Sequence, residues 1–265
     1  KLPVISDVKE LEWFHENVLA PLGPTEAYFV SLSSRNKYLS VEEREEFELG
    51  RSEMFAKTII SGKKWEDFLV KMKKLEYSGA RKTTKNYKDI PPKSLVCYIN
   101  INPSDSLKAL NKFMGVAQSY QFELAQAAIN SQDTGNIQSR IERLDNNLMT
   151  AFQTSAGNKK WIDFDLDVDK EFRIFENKEF AQWLTEKGIN TYYWVDTRSG
   201  YHLLISRKDL KFNPKDIADW LSQSYKEYLT PLDRGEEELE IILNKNQMIP
   251  CSGTFQSNYP ISIIN

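Results

Sequence analysis

"WIDFDLDVDK", residues 161–170, sets an aspartate at every second position from Asp163 to Asp169. In an extended strand successive side chains point to opposite faces. Ile162, Phe164, Leu166 and Val168 then make one apolar face, and Trp161 shares the other with Asp163, Asp165, Asp167 and Asp169. The segment is therefore predicted to be a strand with one face on a core. Same-face neighbours stand about 7 Å apart, and two carboxylates at that spacing repel by about 2.4 kcal/mol at an effective dielectric of about 20. Water can screen the repulsion along a solvent-facing edge, where acids also discourage edge-to-edge pairing. A divalent cation can instead reverse it. The rest of the chain has to decide.

With 265 residues, 40% hydrophobic and 12% aromatic, the chain can bury a substantial core as one large domain or two lobes. No apolar run approaches the roughly 18 residues of a membrane span, and no signal-peptide pattern opens the chain. Cys97 and Cys251 lie far apart and fit a reduced, cytoplasmic setting. With two cysteines and two histidines, His15 and His202, the spacing of a structural zinc site is missing. A metal here would be held by carboxylates, which favours Mg²⁺ or Mn²⁺. The net charge of −3 gives no overall basic footprint for nucleic acid. One local basic stretch, residues 80–93, reads as an exposed loop or a phosphate contact.

Ser40 and Glu43 form a capping box that opens a predicted amphipathic helix running through "YLSVEEREEFELGRSEMFAKTI". Residues 63–77 continue as helix and 94–101 read as a buried strand. Asn102 and Pro103 are predicted as the N-cap and first position of the next helix. Two further helices are expected up to about residue 152. After the acidic strand come a helix over 178–189, two strands across "RSG", a helix started by Asn213 and Pro214, and strands at "LEIIL" and "YPISII". The expected class is α+β in two lobes. Residues 1–158 form a helix-rich N-terminal αβ unit, and 159–265 form a β-α-β-β-α-β unit of ferredoxin or RRM type with a closing strand.

His202 sits in "DTRSGYHLLIS", residues 196–206, after a turn of Arg198, Ser199 and Gly200. A lone histidine in an apolar strand usually marks a satisfied core position. This turn, however, offers a guanidinium, hydroxyls and a glycine amide suited to a polyanion. In a β-α-β-β-α-β unit the first and third strands can be neighbours, so the aspartates could share a cleft with His202. Carboxylates beside a phosphate cradle suit metal-dependent nucleotidyl transfer.

The sequence resembles the archaeo-eukaryotic primase superfamily, the primase-polymerases, and its phage and plasmid members most. "DFDLD" is similar to that family's Asp-x-Asp strand, and "SGYH" after "TR" to its Ser/Gly-x-His segment, in the family's order. "NQMIPCSGTFQSNYPISII" resembles its closing turn and strand, and "LVCYININPSDSLKAL" its N-terminal strand and helix, so the likeness spans roughly residues 94–265. The resemblance implies a template-dependent DNA primase or polymerase, acting on single-stranded DNA with NTP or dNTP and two divalent ions, Mg²⁺ or Mn²⁺. It also implies a replicative helicase or an additional C-terminal domain as partner, and a phage-encoded protein in the host cytoplasm. Its metal-binding pair falls on Asp163/Asp165 or Asp165/Asp167. Its third acid falls within "GEEELEII", where Leu239-Glu240 fits best and Glu236, Glu237 and Glu238 stand nearby. Arg198, Ser199, Gly200 and His202 would bind the nucleotide triphosphate, with Asp163, Asp165 and His202 as the catalytic set. Arg35 and Lys37 are candidate template or phosphate contacts. Two rival readings of the same acids are a metal-dependent nucleotide-sugar transferase and a catalytically inactive single-strand-binding replication module.

Overall fold

The computed structural model describes residues 4–19, 21–78, 90–167, 170, 173–211, 213–229, 240–243 and 248–264. In chain order α1 (Val8–Asn17), β1 (Glu26–Arg35), α2 (Val41–Phe47), β2 (Ser52–Ile60), α3 (Trp65–Ser78), β3 (Leu95–Asn100) and β4 (Ser104–Asp105) come first. Three helices follow: α4 (Ser106–Ile129), α5 (Gly135–Ile141) and α6 (Leu144–Thr154). Next come β5 (Trp161–Asp167), α7 (Lys178–Glu186), β6 (Tyr192–Thr197), β7 (Gly200–Ser206), α8 (Pro214–Leu229) and β8 (Glu240–Leu243). The chain closes with β9 (Met248–Pro250), β10 (Phe255–Gln256), β11 (Tyr259–Pro260) and β12 (Ser262–Ile264). Among the described residues no helix is long and apolar enough to cross a membrane.

The molecule is mixed α and β, with its strands in two antiparallel sheets. The second sheet has the order β12-β6-β7-β5-β8, and from β5 to β8 the element order is β-α-β-β-α-β. The acidic strand β5 is thus an interior strand, paired on both sides, and not the solvent-facing edge that its acids also allowed. The register sets Asp165 against His202 on β7 and against Ile242 on β8.

The alternation of β5 holds. Phe164 and Leu166 are fully buried with Leu203 and Ile205 of β7, Phe180 and Leu184 of α7 and Ile217 of α8. The opposite face of this sheet meets the first unit: Trp161, Val195 and Leu204 share a core with Val30, Leu32 and Ile99. The first sheet runs β11-β10-β3-β1-β2, with β4 on β1 and β9 on β3. A boundary at 158/159 therefore separates the chain but not the sheets. β9 and β10 pair with β3 of the first sheet, β11 pairs with β10, and β12 then returns to β6 of the second.

Three local expectations are corrected. The capping box at Ser40 and Glu43 is present, but its helix stops at Phe47 and Glu48 turns left-handed with φ 46°. Residues 52–59, read as helix, belong to β2, because β1 offers a partner along its whole length and the β-branched Thr58, Ile59 and Ile60 suit a pleated surface. Residues 106–129 are one helix, whereas the segment from 135 to 154 is two. Asp105, not Asn102, caps α4, accepting from the Leu107 and Lys108 N–H groups.

Asn102 does other work. Its Oδ1 accepts from the N–H groups of Lys160 (2.6 Å) and Trp161 (2.8 Å), and its Nδ2 donates to the Trp161 carbonyl (2.9 Å). The side chain is 4% exposed and substitutes for a strand partner at the start of β5. Asn102→Ala leaves three backbone groups without that partner, so a loss of about 2 to 4 kcal/mol is expected in urea unfolding. A midpoint unchanged from the parent would show that the clamp is dispensable.

Candidate active site

The acid face of β5 changes character along its length. At one end Trp161 is 1% exposed and its Nε1 donates to the Val18 carbonyl at 2.8 Å. In the middle Asp163 is 1% exposed and accepts from His202 Nδ1 at 2.9 Å. At the far end Asp165 is half-buried and Asp167 exposed, and both line a cleft of about 160 Å³ between the two sheets. Asp163, expected among the metal ligands, is thus packed behind the cleft as the partner of His202.

Burying a carboxylate costs several kcal/mol unless it is paired and hydrogen-bonded. The His202–Asp163 pair meets that condition, and His202 Nε2 then lies 3.6 Å from Asp165 Oδ1. Burial alone would lower the imidazole pKa, but the Asp163 and Asp165 carboxylates outweigh it and raise it to about 9. At neutral pH His202 is therefore a cation whose Nε2–H is directed to the Asp165 side of the cleft. A raised histidine pKa adds stability that is fully present below about pH 6.5, the unfolded value, and is lost as pH rises through about 9. Metal-free protein should accordingly lose a few kcal/mol of stability between those limits, and His202→Gln should flatten that part of the profile. Denaturant midpoints across the range test this, and an equal slope in both proteins would rule the pair out as its source.

Asp165 is pushed up in pKa by burial first and then by Asp163 and Asp167, against the opposing His202 and Lys37 charges. The opposite wall is cationic. Arg35 at the end of β1 and Lys37 just after it both line the cleft. Arg35 Nη1 donates to the Tyr98 hydroxyl at 3.0 Å, while its buried Nε has no hydrogen-bond partner among the described residues. Burial pushes the Tyr98 phenol up to about 12, so it stays neutral.

The β6–β7 turn places Ser199, Gly200 and His202 on the cleft. The Arg198 N–H donates to Gln256 Oε1 at 2.9 Å, its Nη1 to the Ser257 hydroxyl, and its guanidinium lies 4.7 Å from the Tyr38 ring centroid. Gln256 Nε2 donates in turn to the Tyr38 hydroxyl at 2.6 Å. The closing turn thus locks the position of the Arg198 loop. Thr254, in the same closing segment, is fully buried and donates to the Cys251 carbonyl at 2.6 Å, a structural bond.

Glu240 stands opposite Asp167 in the β5–β8 register, and its side chain lies outside the described residues. Glu236, Glu237, Glu238 and the basic residues Arg81, Lys82, Lys85 and Lys88 also lie outside them. Lys93 of the basic stretch pairs with Glu43. Among the described residues no group of three or more His, Cys, Asp or Glu side chains is arranged to hold a metal. Two carboxylates facing an open, water-accessible cleft do match the donor chemistry of Mg²⁺, which is commonly held by one or two carboxylates with water and substrate phosphates.

Tyr38, Tyr98 and Gln256 are cleft residues that sequence reasoning did not single out. Tyr98 was legible only as one position of a buried strand, and Gln256 carries no local signal. Compared with protein-family models, with curated proteins and with solved structures, the chain has no significant match.

Proposed function

We propose that the chain is a metal-dependent nucleotidyltransferase domain, a template-directed DNA primase or polymerase acting on single-stranded DNA with NTP or dNTP. The observation that carries this reading is the division of charge across one cleft. Asp165 and Asp167 line one side with the His202 cation beside Asp165 on the same sheet; Arg35 and Lys37 line the other. A triphosphate escorted by divalent cations is a substrate that needs both walls at once. The resemblance of "DFDLD" and "TRSGYH" to primase-polymerase motifs supports the same conclusion.

Asp165 and Asp167 are the proposed holders of Mg²⁺ or Mn²⁺, with Glu240 as the third acid by its register position. Such ions would activate the attacking 3′-hydroxyl and stabilise the departing pyrophosphate. His202 offers its Nε2–H to a phosphate oxygen and is held in orientation by Asp163, which is a positioning residue and not a ligand. Arg35 and Lys37 neutralise phosphate charge, and the Ser199–Gly200 turn adds hydrogen-bonding capacity.

The test is incorporation of labelled NTP or dNTP on a single-stranded DNA template, with and without a primer, in Mg²⁺ or Mn²⁺. Metal-dependent extension is the expected result. Binding of single strands with no incorporation under any of these conditions would favour the inactive module instead.

A further inference from the structure

α4 runs for 24 residues, about 36 Å, and packs against α5 and α6. On another side Leu107, Leu110, Met114, Phe122 and Ile129 are between 46% and 78% exposed. Their spacing returns each to one stripe of a 3.6-residue helix, with Gln118 and Ala125 at the remaining turns. Single exposed apolar residues are ordinary. Five on one stripe leave on the order of 500 Å² of apolar surface uncovered, the size at which patches mark interaction sites.

The charges of α4 identify what could cover it. Lys108, Lys112 and Glu123 are its charged residues, and all three are turned to neighbouring chain. Lys108 Nζ donates to the Ala156 carbonyl, Lys112 Nζ to the Thr154 carbonyl, and Glu123 pairs with Arg140 at 2.8 Å. The stripe therefore offers no cation for a nucleic acid or an anionic membrane, both of which require one. It does offer partial self-complementarity: Leu107 and Ile129, and Met114 and Phe122, stand equally far from Gln118, while Leu110 and Ala125 are mirrored by the polar Gln126 and Asn111. An antiparallel copy sets Leu107 against Ile129, Met114 against Phe122, and Gln118 against its own equivalent. A two-fold contact needs that property, and a glutamine pair satisfies its own donors and acceptors. Two such faces bring together roughly 1,000 Å², the lower bound for a specific interface.

We propose that α4 is the seat of an antiparallel homodimer, with a second copy of this chain covering the stripe. The contact is independent of the cleft chemistry, so either reading can fail alone. Sedimentation of the whole chain over micromolar concentrations should show a monomer–dimer equilibrium. Met114→Glu should weaken it about 100-fold, the effect of losing a central anchor, with the circular dichroism spectrum unchanged. Cys97 and Cys251 are fully buried, so a thiol introduced on α4 is the accessible one. Under mild oxidation Gln118→Cys should form a disulfide-linked dimer. Leu107→Cys should do so only when mixed with Ile129→Cys. A monomer at every concentration, a dimer indifferent to Met114→Glu, or efficient self-linking by Leu107→Cys would each overturn the proposal.

Discussion

Asp165→Asn is expected to fold normally and to lose metal-dependent nucleotide incorporation by about a thousandfold or more. Asp165 belongs to both candidate metal pairs in the sequence, and of the acids nearest His202 it is the one that faces the cleft. Its carboxyl is raised in pKa chiefly by burial, then by Asp163 and Asp167, so negative charge is held there at a cost that a bound cation removes. Asparagine keeps the size and removes the charge. The same physics fixes a readout that does not depend on activity. A carboxyl with a raised folded pKa destabilises the protein at pH values above its unfolded pKa, and the penalty is absent below it. In metal-free buffer at neutral pH Asp165→Asn should therefore unfold at a higher temperature than the parent. Added Mn²⁺ should raise the parent's midpoint and move the variant's much less. Undiminished incorporation, or an equal response to Mn²⁺, would remove Asp165 from the site.

The two motifs were legible because a strand has a period of two. That period put Phe164 and Leu166 in one core, the aspartates on the other face, and His202 on the face of Leu204. Periodicity gives a face but not a depth along it. Which acids are buried was decided by the first unit, through the Val18 carbonyl on Trp161 and the Asn102 clamp at Lys160 and Trp161. These partners are 59 or more positions away in sequence for Trp161, beyond any local pattern. The same holds for Ser52–Ile60, whose strand character rests on β1. It holds also for Gln256, which reaches the Arg198 loop only because the chain returns to the first sheet. Arg35 and Lys37 were visible as cations; only the fold puts them opposite Asp165.

Gly253→Ala carries the largest expected loss of stability. Gly253 has φ +80°, in the left-handed region, and a Cβ added there would lie 2.5 Å from the Leu11 nitrogen and 2.7 Å from the Leu11 Cα. Those atoms belong to the backbone of α1, which cannot step aside as a flexible side chain would. The surrounding bonds resist a shift as well. The Gly253 carbonyl accepts from the Ser6 and Asp7 N–H groups, and its own N–H donates to the Ile261 carbonyl. Strain at the backbone together with overpacking predicts a loss of about 3 to 5 kcal/mol, a large part of the 5 to 15 kcal/mol that holds a typical domain folded. Thr254→Val next door breaks one hydrogen bond without a clash and should cost about 1 to 3 kcal/mol. The turn is also the route by which Pro250 and Gln256 reach the cleft. In Gly253→Ala the fraction that remains folded should therefore show weaker nucleotide binding, because Gln256 no longer holds the Arg198 loop in place. Denaturant midpoints for the two variants decide the matter: if Gly253→Ala unfolds no earlier than Thr254→Val, α1 does not press on this turn as closely as the distances require.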